Sequence, residues 1–392
     1  MNKSQYLSSL TWLRGIAAFL VIVSHTVLMI DGKWIQRNYS SFSLFYSDKF
    51  WYGRLFDLGY FAVFLFFTLS GFTLYISNKK YLYSLKDIFP FIIKRVARIW
   101  PAYLVSILIY TIYSLLFWIK HFDTSATWIA NNFMIPNSLM DFLKYCFLLF
   151  DFFKTHHFFI GPYWSLPIEF QYYLLLIPVA IFMGRFKSIN ILIPLFLGIV
   201  MMIIGTTDLL HIADNRFFLM VLSFLGGVAL AEIYMVNKLP RIKNQIIVLF
   251  FIFLSFLAAS SARYGIILRG YSLPFNIMLS IMIVYLFLCI KQEKHGSSLL
   301  IKLLGNYGTY SYSIYLYHIL SLGCIAIIAT ISKVTLDIAM FFPILILTSI
   351  SSYYLGFISY TFIEAPCIDF GRIIVERLRI RQKPGQPFSI EK

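Results

Sequence analysis

The chain has 392 residues, 60% of them hydrophobic and only 13% charged, with a mean hydropathy of +0.78. A soluble domain carries about 25% charged residues, so a water-soluble enzyme or binding module is excluded, and the expected class is an all-α polytopic membrane protein. The net charge of +16 gathers between apolar blocks, which reads as membrane topology and not as a nucleic-acid partner.

Apolar blocks of spanning length recur ten times, at 10–30, 56–77, 99–119, 164–183, 189–206, 217–236, 245–262, 272–290, 309–331 and 339–362. With the N-terminus placed in the cytoplasm, the inner segments hold 22 of the 33 Lys and Arg residues and the longer outer loops 11. This two-to-one bias predicts about ten transmembrane helices with both termini cytoplasmic. Residues 1–370 read as one transmembrane domain. Residues 371–392 read as a basic cytoplasmic tail, disordered at its end.

The first block, LTWLRGIAAFLVIVSHTVLMI, is too long for a signal peptide, is interrupted by Arg14 and lacks a cleavage site, so it reads as a retained helix. Arg14 and His25 lie 11 residues apart, almost three helical turns, which puts them on one face about 16 Å apart. Ionisable groups inside a spanning helix mark a functional site by default. Arg14 either belongs to such a site or snorkels to the inner interface.

The second block carries Ser70 and Gly71 in FFTLSGFTLYIS. They either let helices approach closely or line a narrow channel for a thin ligand. The basic run KRVARIWPAYL then supplies Arg95 and Arg98. Topology alone accounts for such charges, and so does docking of a phosphorylated ligand from the cytoplasm. The outer loops 31–55 and 120–163 offer a resting surface for an acceptor. The apolar patch Phe142–Phe153 is expected to lie on the membrane surface, with His156 and His157 in solvated loop.

The fourth block begins GPYWSLPIEFQYY, and Trp164 and Ser165 stand at its outer end. Glu169 is five residues further in, about 8 Å deep, and counting from the outer end of the first helix puts His25 at a similar depth. A carboxylate beside His25 would hold its tautomer and stabilise its charged form, as a general base requires. In the ninth block, Tyr315 and His318 are i, i+3 neighbours on one face, either lining the same cavity or making a structural hydrogen bond. The four cysteines (Cys146, Cys289, Cys324, Cys367) have neither ligand spacing nor a disulfide pattern, so no metal site is expected. No nucleotide-binding, zinc-protease or nucleophile-elbow motif is present in the sequence.

Six segments occur together in order: Arg14 and His25 in the first helix, LFFTLSGFTL, KRVARIWPAYL, WSLPIEFQYY, GTYSYSIYLYH and FIEAP. With these the chain resembles the acyltransferase-3 family of bacterial integral-membrane O-acyltransferases, over residues about 10 to 366, in what looks like the stand-alone form without a hydrolase-like extension. The resemblance implies a multi-pass enzyme of the bacterial inner membrane. It would take an acyl group, usually acetyl, from cytoplasmic acyl-CoA and pass it to a hydroxyl of an extracytoplasmic glycan or glycolipid such as lipopolysaccharide O-antigen. The family's arginine–histidine pair maps to Arg14 and His25, and its glutamate segment to Glu169.

On this reading His25 and Glu169 are the catalytic residues, and Arg14, Ser70, Gly71, Arg95 and Arg98 bind acyl-CoA. Trp164, Ser165, Tyr315 and His318 line the cavity on the acceptor side. Acetyl-CoA is the donor substrate, and no permanently bound cofactor is expected. The alternative is a glycan or lipid transporter that uses the same buried charges as a translocation path.

Overall fold

A computed structural model describes residues 3–31, 58–82, 85–119, 138–150, 160–186, 190–207, 215–236, 272–289, 299–334 and 338–382, with a few isolated positions besides. These residues are helical throughout apart from caps and turns. The helices are α1 (Lys3–Asp31), α2 (Gly59–Leu82), α3 (Leu85–Ile119), α4 (Leu139–Cys146), α5 (Ser165–Arg185), α6 (Leu192–Thr206), α7 (Arg216–Val236), α8 (Ser272–Leu288), α9 (Leu299–Thr309), α10 (Ser311–Ile331), α11 (Phe341–Ser359) and α12 (Ala365–Gln382).

Seven helical segments among them are long and apolar enough to cross a membrane, and α6 and most of α8 form shorter apolar helices. Nine of the ten predicted blocks thus appear as helices, while block 245–262, apart from Phe250, lies outside the described residues. The third and last blocks are longer than predicted. α3 extends back through the basic run to Leu85. α11 passes through a π-helical turn, Tyr360–Glu364, into α12, so the expected boundary at residue 370 falls inside a helix. Residues 383–392 of the expected tail lie outside the described residues.

Small residues set the helix crossings. A Cβ on Gly71 would run into the carbonyl of Phe224 on α7, and one on Gly227 into that of Thr68 on α2. These glycines bring the two backbones closer than any side chain allows. Gly15 and Gly308 do the same between α1 and α9. α1 and α2 run antiparallel, with Gly59 against Ser24 near one end and Arg14 bonded to Thr73 near the other. α3 and α10 run parallel, joined by Tyr312 to the Ile99 carbonyl (2.9 Å) and Tyr110 to the Leu316 carbonyl (3.0 Å).

One fully buried acid ties three segments together. Glu232 of α7 pairs with Lys79 of α2 at 2.7 Å, accepts 2.9 Å bonds from Lys79 and from Asn190, just ahead of α6, and accepts the Tyr75 hydroxyl. Lys79→Met is expected to cost about 3 kcal/mol, the low end for breaking a buried pair, because Tyr75 and Asn190 still donate. A thermal melt of the purified protein checks this.

The described part of the patch expected on the membrane surface, residues 142–150, lies deeper, and residues 151–153 lie outside the described residues. α4 and the residues after it are held to the middle of α3, where Tyr103 donates to the Tyr145 carbonyl (2.6 Å) and the Trp100 indole to the Cys146 carbonyl (2.8 Å). The Cys146 carbonyl ends a short helix, where water at membrane depth cannot supply a partner, and the Tyr145 carbonyl also accepts from the Leu148 N–H at 3.0 Å. Leu139, Met140 and Leu143 of α4 are exposed, as suits contact with lipid.

Candidate active site

The site forms where α1, α2, α3, α5 and α10 meet. A narrow cavity of about 100 Å³ is lined at one end by Arg14, Arg95, Arg98 and Thr73, along its length by Ser70, Glu169 and Tyr173, and at the other end by Ser165 and Tyr315, with apolar walls that include Val63 and Phe66. Three guanidinium groups thus share the cavity with one lining carboxylate.

The arginine end is held by specific bonds. Arg14 Nη2 donates to Thr73 Oγ1 at 2.8 Å. Arg98 Nη2 stands 3.6 Å from Glu364, a fully buried carboxylate on the π turn that also accepts from Ser313 at 2.8 Å. The Arg95 Nε is buried and has no hydrogen-bond partner among the described residues. A buried donor left unpaired is costly unless something fills the role, and a cavity lined by three arginines suits an anion.

Glu169 does not sit beside His25. Its Oε1 accepts from Ser70 at 2.9 Å and from Tyr173 at 2.5 Å. Ser70 is 11 residues along α2 from Gly59, which abuts Ser24, and that is about 16 Å of helix. Glu169 therefore lies deeper than His25, on the side of the arginines. Counting from helix ends misplaced it because Trp164 belongs to a 3-10 turn, Gly161–Trp164, sunk between α3 and α10. In that turn Tyr163 bonds Ser106 (2.8 Å) and the Leu316 carbonyl (3.0 Å). Gly71 also leaves the predicted set, since it faces α7 and not the cavity. Trp164 stands apart from the lining residues, with the Arg216 guanidinium 4.8 Å above its ring.

The far end of the cavity leads to the histidines. Tyr315 donates its hydroxyl hydrogen to the Pro162 carbonyl, so Ser165, 2.8 Å away, donates to the Tyr315 oxygen. The Tyr315 ring stands 5.6 Å from that of His318, and His318 lies 4.9 Å from His25, centroid to centroid. His25 is half-buried and His318 fully buried. Neither lines the cavity itself; they stand just behind Tyr315.

Thr73, Tyr173, Tyr312 and Glu364 were not singled out from the sequence. The i, i+4 spacing of Glu169 and Tyr173 was a usable signal. Glu364 lay in a quoted segment with nothing local to mark its partner. Among the described residues, no cluster of three or more His, Cys, Asp or Glu side chains is placed to hold a metal.

A family model described as an acyltransferase domain matches residues 7–361. The chain belongs to the acyltransferase-3 family. Neither a curated protein nor a solved structure matches it. As a membrane acyltransferase, the protein must bring an activated acyl group and a nucleophile to one place. The cavity joins an arginine cluster to a tyrosine that packs on a histidine pair.

Proposed function

We propose that this acyltransferase moves an acyl group, most simply acetyl, from cytoplasmic acyl-CoA to a hydroxyl of an extracytoplasmic glycan such as lipopolysaccharide O-antigen, with His25 as general base. The observation that carries this reading is the layout of the cavity. It begins among Arg14, Arg95 and Arg98, at the end that positive-inside counting puts in the cytoplasm, and stops at Tyr315, against the His318–His25 pair.

Phosphates of the donor bind the arginines through charge-assisted hydrogen bonds. The pantetheine arm lies along Ser70, Glu169 and Tyr173, where the Glu169 carboxylate accepts from an amide N–H of the arm. The thioester carbonyl comes to rest near Tyr315. The glycan hydroxyl approaches from the opposite side and gives its proton to His25 as its oxygen attacks that carbonyl. The tetrahedral adduct then expels the CoA thiolate, which takes the proton back from His25. An ester and a thiol form, a thioester and an alcohol are consumed, and no net proton is released. General-base assistance of this kind contributes about 10²–10⁴ in rate.

The test is transfer with purified protein in lipid nanodiscs, acetyl-labelled acetyl-CoA and candidate surface glycans. Label in the glycan, matched mole for mole by free CoA thiol, is the expected result. Movement of glycan across sealed vesicles without any acyl-CoA, and no label transferred, would favour the transporter instead. In the same assay Arg95→Gln should raise the KM for acetyl-CoA by about 10-fold or more, the worth of one hydrogen bond to a charged group, and leave kcat nearly unchanged.

A further inference from the structure

The hydrogen bonds around the two histidine rings determine where their protons sit. His25 Nδ1 is 2.9 Å from the Val21 carbonyl oxygen, and His318 Nδ1 is 2.7 Å from the Tyr315 carbonyl oxygen. A carbonyl oxygen only accepts, so each Nδ1 carries a hydrogen. In neutral His318 the lone pair is then on Nε2. That atom faces His25 Nδ1 at 3.3 Å. The Nδ1–H of His25 therefore points at both the Val21 carbonyl and the His318 lone pair, and the lone pair of His25 is left on Nε2.

We infer that His318 is a positioning residue for the acyl transfer proposed above: it holds His25 as the Nδ1–H tautomer, so that Nε2 is the atom that takes the alcohol proton. His318 cannot be the base itself. It is fully buried, and its only lone pair is already engaged by His25. In the commoner arrangement a carboxylate orients the catalytic ring. Here a neutral ring does so, and the carboxylate expected in that place, Glu169, is bonded to Ser70 and Tyr173.

The energetic effect appears during the reaction. Before proton transfer the His25–His318 contact joins two neutral groups. Once His25 has taken the proton at Nε2, its Nδ1–H becomes a charged donor, and the bond to His318 strengthens. A contact that strengthens only as charge develops acts on kcat and leaves substrate affinity alone. This inference rests on His25 being the base, so its test needs one readout that does not depend on turnover.

That readout is nitrogen NMR of the full chain labelled with 15N-histidine, with the His25 signal assigned by its loss in His25→Ala. A hydrogen on Nδ1 and a bare Nε2 are expected. A hydrogen on Nε2 of neutral His25 would overturn the inference, whatever the activity. The kinetic arm compares two variants. His318→Phe fills the space without an acceptor, and His318→Gln places an amide oxygen near the former Nε2.

The expected result is a fall in kcat of about 10²-fold for His318→Phe, at the low end of a general base's contribution. The acetyl-CoA KM and melting temperature should be nearly unchanged, and His318→Gln should recover part of kcat. Full kcat in His318→Phe, with His25→Ala inactive, would sink the role of His318 and leave the acyl-transfer reading intact. Activity in His25→Ala would instead sink that reading, with the tautomer still measured by NMR. If His318→Phe does not fold, His318→Gln and the wild-type spectrum carry the test: loss of kcat in His318→Gln as deep as in His25→Ala counts against the inference.

Discussion

His25→Ala is expected to lower acyl transfer by about 10²–10⁴, the full contribution of a general base, while the protein still inserts and folds. His25 is half-buried, with Val21 and His318 among its partners. The measurement is glycan acetylation in cells carrying only the variant, alongside membrane protein level and the melting temperature of purified material. Acetylation at the wild-type rate would end the case for His25 as base. Loss of acetylation together with loss of protein would point to a folding defect, and a His25→Gln variant of similar size then separates the two.

Gly71→Ala is expected to be strongly destabilising, although Gly71 does not itself line the cavity. The added carbon would meet backbone, the Phe224 carbonyl, which cannot swing aside as a side chain does. Forcing α2 and α7 apart costs about 3 kcal/mol. It would also loosen Phe66, Phe67, Ser70 and Thr73, which α2 contributes to the cavity. Gly305→Ala is the control, because its nearest neighbour is the Trp12 ring at 3.8 Å, an ordinary contact. There the gain in helix propensity, up to about 1 kcal/mol, makes the change neutral or stabilising. Thermal melts of the two variants side by side give the answer, and equal stability would refute the account of the α2–α7 crossing.

The spanning helices were legible because lipid demands long apolar runs and the chain supplies them. Arg14 and His25 were legible for the converse reason, as groups lipid should not tolerate. What could not be read was relative depth. Glu169 was matched to His25 by counting from helix ends, but the chain before α5 descends into the bundle through Gly161–Trp164 before the helix begins. The third block was bounded at residue 99 because of the charges before it, yet residues 85–98 form the first turns of α3 with Arg95 and Arg98 on the cavity side. Hydropathy weighs a charge and does not report which way it points. Gly71 shows the same limit: adjacent to Ser70 in sequence, it leaves the helix about 100° away, towards α7.

The π turn at Tyr360–Glu364 has a consequence for insertions and deletions. Gly356 meets Ile314, and Glu364, eight residues later, meets Ser313. In a regular helix an eight-residue step would swing the second contact roughly 80° off the first; the wider turn absorbs most of that error. It behaves as a one-residue insertion taken up without disturbing either flank. A relative lacking one of those five residues would keep both contacts in phase on an ordinary helix, whereas one with a residue more would rotate the carboxylate about 100° and leave Arg98 without its counter-ion.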